Sequence, residues 1–300
     1  MDREVMGKIL ELSAQPGKRN ESIAYLAHHL GQFLKKGEQV LICFSRHEEG
    51  DLSWLMSQAV EHCGAVSVVW GPERTWKTLL RQAFSQKVSA IIGAPLIVLG
   101  LAKLARQSAT PLSIRKVITA GYPCVPWMID GIVKGFDCEM GGSFSLEAGI
   151  VAGFACGHSW GVHVRDEEYG VQIVDRDGKV LPEGEAGEII LYPREAPHLR
   201  LSMSDRAYIS KAPCACGSDS PHLEGIRYGG NVEPDLLELG QMLHSWTSIL
   251  DCRLEKTECG LEIELVTFPG EKLPKLPTAA KLLIRSWDPD TDAPIHMPFL

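Results

Sequence analysis

The sequence lacks any apolar run that would make a convincing membrane span, and it lacks a basic-then-apolar leader. Met1 leads into Asp2, Arg3 and Glu4, which is unlike a secretory n-region. The uncharged run from Val88 to Ala102 is broken by Gly93, Pro95 and Gly100. It is shorter than the roughly 20 residues of a spanning helix and reads as a buried strand running into a helix. The expectation is a cytoplasmic chain. Basic residues are outnumbered, with 30 Lys and Arg against 38 Asp and Glu for a formal net charge of −8. No global field therefore draws the chain to nucleic acid or to an anionic membrane. An even cysteine set is also missing: nine cysteines argue against a closed disulfide framework, and in a reducing compartment clustered thiols point to metal or redox chemistry. Internal repeats and low-complexity tracts are absent. What remains is a 300-residue chain, 45% hydrophobic and 23% charged, which is an ordinary globular composition with room for about two domains.

The first half alternates helical and strand-like segments. Ile23, Leu26, Leu30, Phe33 and Leu34 recur near helical spacing over about 21–36. Gly37 punctuates, and 40–44 is a short apolar run with buried-strand character. Helices are expected over about 51–63 and 75–86, strands over 66–70, 90–92 and 116–119, and Pro95 suits the first turn of a helix. This alternation predicts an α/β layer with a largely parallel sheet and flanking helices. Past about 160 the pattern changes. Residues 169–174 alternate as a strand, Asp177-Gly178 supplies a hairpin signal, and 189–192 is a second strand, which together indicate an antiparallel β subdomain. From about 235 a helix, strands over 250–256 and 261–268 and a Pro-punctuated end indicate a small α+β region. The expected boundaries are 1–155, 156–233 and 234–300.

Cys43, Cys63, Cys124 and Cys138 sit among apolar neighbours and read as buried free thiols. Cys214 and Cys216 differ, because they lie one residue apart in a small, polar, turn-rich stretch where two thiols can face one ion. The pair His28-His29 on an amphipathic helix reads as solvated or capping, and Trp54, Trp70, Trp76, Trp127 and Trp160 as core or interface residues.

Six short stretches follow one another in an order that carries a resemblance: Cys63-Gly64-Ala65-Val66, Gly93-Ala94-Pro95, Ala120-Gly121-Tyr122-Pro123, Ser143-Phe144-Ser145-Leu146-Glu147, Asp177-Gly178 through Leu181-Pro182-Glu183-Gly184-Glu185-Ala186-Gly187-Glu188, and Leu199-Arg200-Leu201-Ser202-Met203-Ser204-Asp205. Over roughly residues 60–235 the chain resembles the adenylate-forming (acyl-CoA synthetase) superfamily, in a branch similar to phenylacetate–CoA ligase and coenzyme F390 synthetase. The third stretch matches the turn that borders the nucleotide, the fourth the "Tyr-Gly-x-Thr-Glu" motif, and the sixth the motif ending in the ribose-binding aspartate.

The resemblance implies chemistry in which a substrate carboxylate attacks the α-phosphate of ATP, giving an acyl-adenylate and pyrophosphate, before a thiol such as coenzyme A attacks. That chemistry needs donors to hold the leaving phosphates, Mg²⁺ to offset accumulating charge and a carboxylate on the ribose. By resemblance Glu147 is the Mg²⁺ carboxylate and Asp205 the ribose carboxylate, with Gly121, Tyr122, Ser143 and Phe144 flanking the adenine. Tyr122 also has a plain packing reading, and Asp205 with Arg206 a plain N-cap or surface-pair reading. The same branch implies a structural zinc held by Cys156, His163, Cys214 and Cys216, a closed set of three thiolates and one imidazole.

The sequence departs from the family at named places. No segment matches the Ser/Thr/Gly-rich phosphate loop, and Pro16-Gly17-Lys18-Arg19 lacks the glycine spacing of a phosphate cradle. Ser143 stands where an aromatic is usual, Ser204 where a glycine precedes the aspartate, and Gly230 where a hinge arginine is usual. No lid lysine is recognisable, and Lys281 is not one. The expectation is an N-terminally truncated, zinc-stabilised relative of these ligases with a cleft for a carboxylic acid or nucleotide. Its alternative is a non-catalytic binding or regulatory subunit that completes its site by dimerising or with a partner protein.

Overall fold

The computed structural model describes residues 3–44, 50–70, 75–108, 112–145, 151–155, 161–210, 212–227, 234–271, 273, 280–288, 292 and 294. Two helices, α1 (Arg3–Ser13) and α2 (Pro16–Phe33), precede the α/β layer. The layer runs β1 (Gln39–Cys43), α3 (Gly50–His62), β2 (Val66–Val69), α4 (Trp76–Ser85), β3 (Ala90–Gly93), α5 (Pro95–Gln107), β4 (Lys116–Thr119), α6 (Pro126–Phe136) and β5 (Glu139–Ser145). The antiparallel part holds β6 (Val151–Phe154), β7 (Val162–Val164), β8 (Tyr169–Val174), β9 (Gly187–Pro193), β10 (Leu201–Ile209) and β11 (His222–Arg227). A last unit follows with α7 (Pro234–Ser245), β12 (Ile249–Thr257), β13 (Gly260–Thr267) and β14 (Lys281–Ser286).

Strands β1 to β5 are parallel in the order 2-1-3-4-5. β5 then pairs antiparallel with β6, and the sheet continues without a break through β7, β11, β10 and β9 to β8. The α/β layer and the antiparallel part therefore share one 11-stranded sheet, while β12, β13 and β14 form a separate three-stranded sheet.

Local signals explain most boundaries. Pro16, Pro95 and Pro126 sit in the first turns of α2, α5 and α6, where a missing N–H costs nothing. Thr75 caps α4 by accepting from the Thr78 N–H, and the Thr78 side chain returns the bond. Gly64 takes φ of 83° between α3 and β2, the left-handed turn that ends a helix. Strands β1, β3 and β4 are apolar on both faces because helices cover both. Helix α5 is buried along nearly its whole length, and Gly100 lets the Trp76 ring press against its backbone: a Cβ there would lie 2.2 Å from the ring.

The C-terminal unit is joined to this core by polar groups out of water. Lys103 on α5 is only 9% exposed, and its Nζ donates to the carbonyls of His244 (2.6 Å) and Ile249 (2.8 Å). It thereby serves the last turn of α7, where carbonyls lack helical partners. Leu250, Val266 and Phe268 join the main core cluster, with Trp287 packed against it. The Asp292 carbonyl accepts from the Trp76 N–H at 2.8 Å, satisfying a donor at the start of α4.

Some expectations change here. Trp54 is 46% exposed, with the Arg19 guanidinium above its ring, so it is not a core residue, whereas Trp70 and Trp76 are buried. Trp160 lies outside the described residues. β14 falls in the region that its prolines made look irregular.

His244 is buried against Trp127, with centroids 6.1 Å apart, and among the described residues its Nε2 has no hydrogen-bond partner. Burial, and then the Lys103 ammonium, push its pKa down to about 3. A histidine held neutral in the folded state contributes its full stability above its unfolded pKa of about 6.5. That contribution is lost as pH falls toward the folded value, because the unfolded chain takes up a proton that the folded chain excludes. His244→Phe is expected to flatten the acid limb, removing about 2 kcal/mol of the stability loss between pH 7 and pH 5, as read from urea melts across that range.

Candidate functional site

Two residue clusters coincide with the sequence-level expectations, one at the carboxyl edge of the parallel strands and one in the antiparallel part. At the first, three strand ends are tied together: Ala94 N–H donates to the Cys43 carbonyl (3.2 Å) and Ala120 N–H to the Gly93 carbonyl (3.0 Å). Gly93 lies so close to Cys43 that a Cβ would meet its carbonyl oxygen at 2.4 Å. The backbone then turns at Gly121 with φ of 102°, a conformation that disfavours any side chain. The next residue, Tyr122, reaches back across the edge, and its hydroxyl accepts from the Leu96 N–H at 3.0 Å. Two sequence stretches some 27 residues apart thus meet at the carboxyl ends of adjacent strands, where open α/β sheets place ligands. Tyr122 is half-buried and joins the main core; its hydroxyl satisfies one of the orphan donors of α5.

The remaining residues of that expected site are partly placed. Ser143 and Phe144 lie on β5 opposite Phe154 and Gly153 of β6, and Glu147 lies outside the described residues. Asp205 is half-buried within β10. It falls between pairing irregularities on both sides: the register to β9 shifts between Ser202 and Arg206, and that to β11 between Arg206 and Tyr208. Such bulges re-aim side chains. The N-cap reading of Asp205 is corrected, because the residue belongs to a strand and not to a helix start. In the strand order β4 and β10 are separated by β5, β6, β7 and β11.

In the second cluster, His163, Cys214 and Cys216 place one ligand atom each within 4.8 Å of one another. The Cys216 Sγ lies 3.2 Å from His163 Nε2. The other ring nitrogen, Nδ1, is 3.3 Å from the Ser220 carbonyl, an arrangement that holds the proton on Nδ1 and leaves Nε2 with a free lone pair. The Ser218 N–H points at the Cys216 sulfur (3.4 Å), as backbone donors do toward thiolates. Gly217, with φ of 81°, makes the turn, its N–H donating to the Cys214 carbonyl at 3.0 Å. This donor set, two sulfurs and one imidazole nitrogen, fits a zinc ion. Cys156 lies outside the described residues.

Sequence reasoning missed the surroundings of this cluster. His222 is the cross-strand partner of His163, and the two rings stack with centroids 4.4 Å apart. Burial, and then the proximity of His163, lower the pKa of His222. His29 is not solvated as its sequence context suggested: it stacks on Phe154 at 5.1 Å, and burial lowers its pKa to about 4. No local signal pairs the two histidines: β7 is three residues long and buried throughout, and β11 opens on two consecutive buried residues. Cys43 and Cys252 are buried, Cys63, Cys124 and Cys138 are partly buried, and Cys259 is exposed. Burial raises Cys124 to about 12 and Cys138 to about 11, which removes thiolate reactivity.

The Tyr122 hydroxyl gives a direct test of how the edge is held. Tyr122→Phe is expected to leave the Leu96 N–H without its acceptor and to lower stability by about 1–2 kcal/mol. Equilibrium denaturation of the two proteins measures that difference.

No protein-family model matches the sequence, and neither does any curated protein. Solved structures do match. 2-Hydroxyisobutyryl-CoA ligase in the postadenylation state, in complex with R3-HIB-AMP, superposes with a TM-score of 0.69 at 15% identity, over 93% of this chain and 68% of that one. A benzoate CoA ligase from Burkholderia xenovorans LB400 gives 0.58 at 12% identity, over 88% and 62% of the two chains. An anthranilate CoA ligase in complex with anthranoyl-AMP gives 0.55 at 15%, over 85% and 54%. The chain spans about two thirds of the length of the first of these ligases. With its parallel sheet flanked by helices, its antiparallel extension and its small C-terminal sheet, the chain has the fold of the adenylate-forming acyl- and aryl-CoA ligases.

Proposed function

We propose that this chain binds the adenylate of a carboxylic acid at the carboxyl edge of β3, β4 and β5, and that a zinc ion cross-links its antiparallel part. The observation that carries the first statement is the meeting of Gly93-Ala94-Pro95 with Ala120-Gly121-Tyr122-Pro123 through the Ala120–Gly93 and Leu96–Tyr122 hydrogen bonds. Two of the six ordered motifs, distant in sequence, form one edge at the place where such sheets take ligands. In this reading Gly121 and Tyr122 border the adenine together with Ser143 and Phe144, Asp205 holds the ribose hydroxyls and Glu147 faces Mg²⁺. The substrate is a small carboxylic acid with ATP, and coenzyme A is the acceptor. Several fold relatives were solved with acyl- or aryl-AMP bound, which supports the assignment of ligand class. The departures at Ser143, Ser204 and Gly230 favour a second reading, a binding or regulatory subunit that keeps the adenylate cleft and works with a partner chain.

Calorimetry with AMP and with a non-hydrolysable acyl-adenylate tests the cleft. Asp205→Ala is expected to weaken binding about ten- to a hundredfold, the loss of hydrogen bonds to a charged acceptor. Silence of wild type and variant with every nucleotide would end the proposal. Carboxylate-dependent pyrophosphate release separates the two readings: turnover supports the ligase, and binding without turnover supports the subunit.

For the zinc, His163, Cys214 and Cys216 are the proposed ligands, with Cys156, which follows β6 in the sequence, as the fourth. A closed set of four protein ligands leaves no place for water, so the ion's contribution is mechanical, fixing the 212–218 segment to β7. Metal analysis of the purified protein is expected to find one zinc per chain. Cys214→Ser should lose the ion and lower the melting temperature. Metal content unchanged by Cys214→Ser refutes the site, and Cys156→Ser tells three protein ligands from four.

A further inference from the structure

The parallel strands begin on the side of the sheet opposite the Gly93 and Gly121 turns, and there the net-acidic chain gathers positive charge. Lys35 and Lys36 follow α2, Lys87 follows α4, and Arg115 leads into β4; all four are exposed. They line one groove of about 570 Å³. Its carboxylate, Glu38, is already engaged, accepting from the Lys35 N–H (2.8 Å), Ser89 Oγ (2.9 Å) and Lys116 Nζ (3.2 Å). Lys116 in turn also donates to the Phe33 carbonyl. Among the described residues no carboxylate forms an ion pair with the side chains of Lys35, Lys36, Lys87 or Arg115.

Two features separate this groove from a scatter of surface lysines. Lys87 holds φ of 50°, with its N–H donating to the Phe84 carbonyl just past the end of α4. That is the left-handed position at which helices favour glycine, and here it carries a cation aimed at the groove. Phe84 lines the same groove with 55% of its surface exposed, an aromatic face on which a base can stack. The helix C-termini of α2 and α4 attract a cation each, but Arg115 precedes a strand and has no helix end to serve. The volume exceeds what a single phosphate fills.

We propose that this groove is a second, non-catalytic site for a nucleoside polyphosphate, with the polyphosphate on Lys35, Lys36, Lys87 and Arg115 and the base against Phe84. It lies at the opposite end of the strands from the adenylate cleft and does not depend on that reading.

The test is calorimetry with inorganic tripolyphosphate and with ATP, at low and at physiological salt, in the Asp205→Ala background so that the adenylate cleft is weakened. One tripolyphosphate per chain is expected, with affinity that falls as salt rises. Lys87→Gly and Arg115→Ala should each weaken it about fivefold, and Lys179→Ala, in the turn after β8 at the far end of the strand order from β2, should leave it unchanged. Phe84→Ala should weaken ATP and spare tripolyphosphate. Lys87→Gly also relieves the left-handed backbone, so its melting temperature should hold or rise, and a binding loss in that variant cannot be misfolding. Absence of tripolyphosphate binding, or equal binding by Lys87→Gly and Arg115→Ala, overturns the site. Co-sedimentation with anionic vesicles in place of tripolyphosphate binding assigns the charge to a surface contact and overturns it as well. ATP binding indifferent to Phe84→Ala overturns the base contact.

Discussion

Strand β5 pairs in two senses, and the rest of the architecture depends on it. Along its first half it is parallel to β4, from Lys116↔Glu139 to Thr119↔Gly142, and along its second half antiparallel to β6, from Ser143↔Phe154 onward. Buried backbone donors and acceptors must be paired, so a strand that satisfies both neighbours commits the chain to one continuous sheet. Gly141 and Gly142 occupy the changeover. Gly141 lies close under the Phe33 ring, where a Cβ would come to 3.1 Å, which lets α2 pack down on the sheet at this point. The Tyr122 turn precedes β5 and the His163 strand follows it, so the relative placement of the two clusters passes through this strand.

Around that spine, charge is handled locally and not through a global field. Lys18 on α2 meets Glu168 at 2.8 Å, and Arg165 donates to Ser22 at 3.0 Å while its guanidinium lies over the Tyr25 ring. These contacts dock α2 onto the antiparallel part as well as onto the layer it precedes. Burial works against the Lys18 charge, but the Glu168 hydrogen bond outweighs it and the lysine pKa rises. Lys103 is the opposite case. Its contacts are carbonyls, burial dominates, and its pKa falls to about 8. One cation holds a surface pair together, and the other closes a helix end inside the core.

Much of the α/β layer was legible in the sequence because its signals are local. The apolar runs at 40–44, 90–92 and 116–119, the spacing of Ile23, Leu26, Leu30 and Phe33, and the prolines at helix starts each act within a few residues. The hairpin after β8 was legible for the same reason: Gly178 supplies the positive φ, and Asp175 accepts from the N–H groups of Asp177 and Lys179. Strands β6, β7 and β11 were not legible: β6 and β7 are four and three residues long and buried throughout, and β11 opens on two consecutive buried residues, so none of them shows a clear alternation. Nor was β14, which pairs parallel with β13 after a connection rich in proline. Asp205 could equally be read as the ribose carboxylate or as a cap or surface pair, because nothing adjacent in sequence reveals the irregular pairing of β10 around it.

The sequence by itself determined the class of the fold and the chemical kinds of residue available. Periodicity and turn chemistry are short-range properties, and ordered motifs survive without tertiary knowledge. Tertiary structure decided which of those residues meet. The Tyr122 hydroxyl finds the Leu96 N–H, Cys216 finds His163 across 53 positions, and Lys103 finds the end of α7 more than 140 positions away. Each of these contacts satisfies a group near or within the core whose partner is set by strand order and helix docking, and strand order depends on pairing that no local window contains.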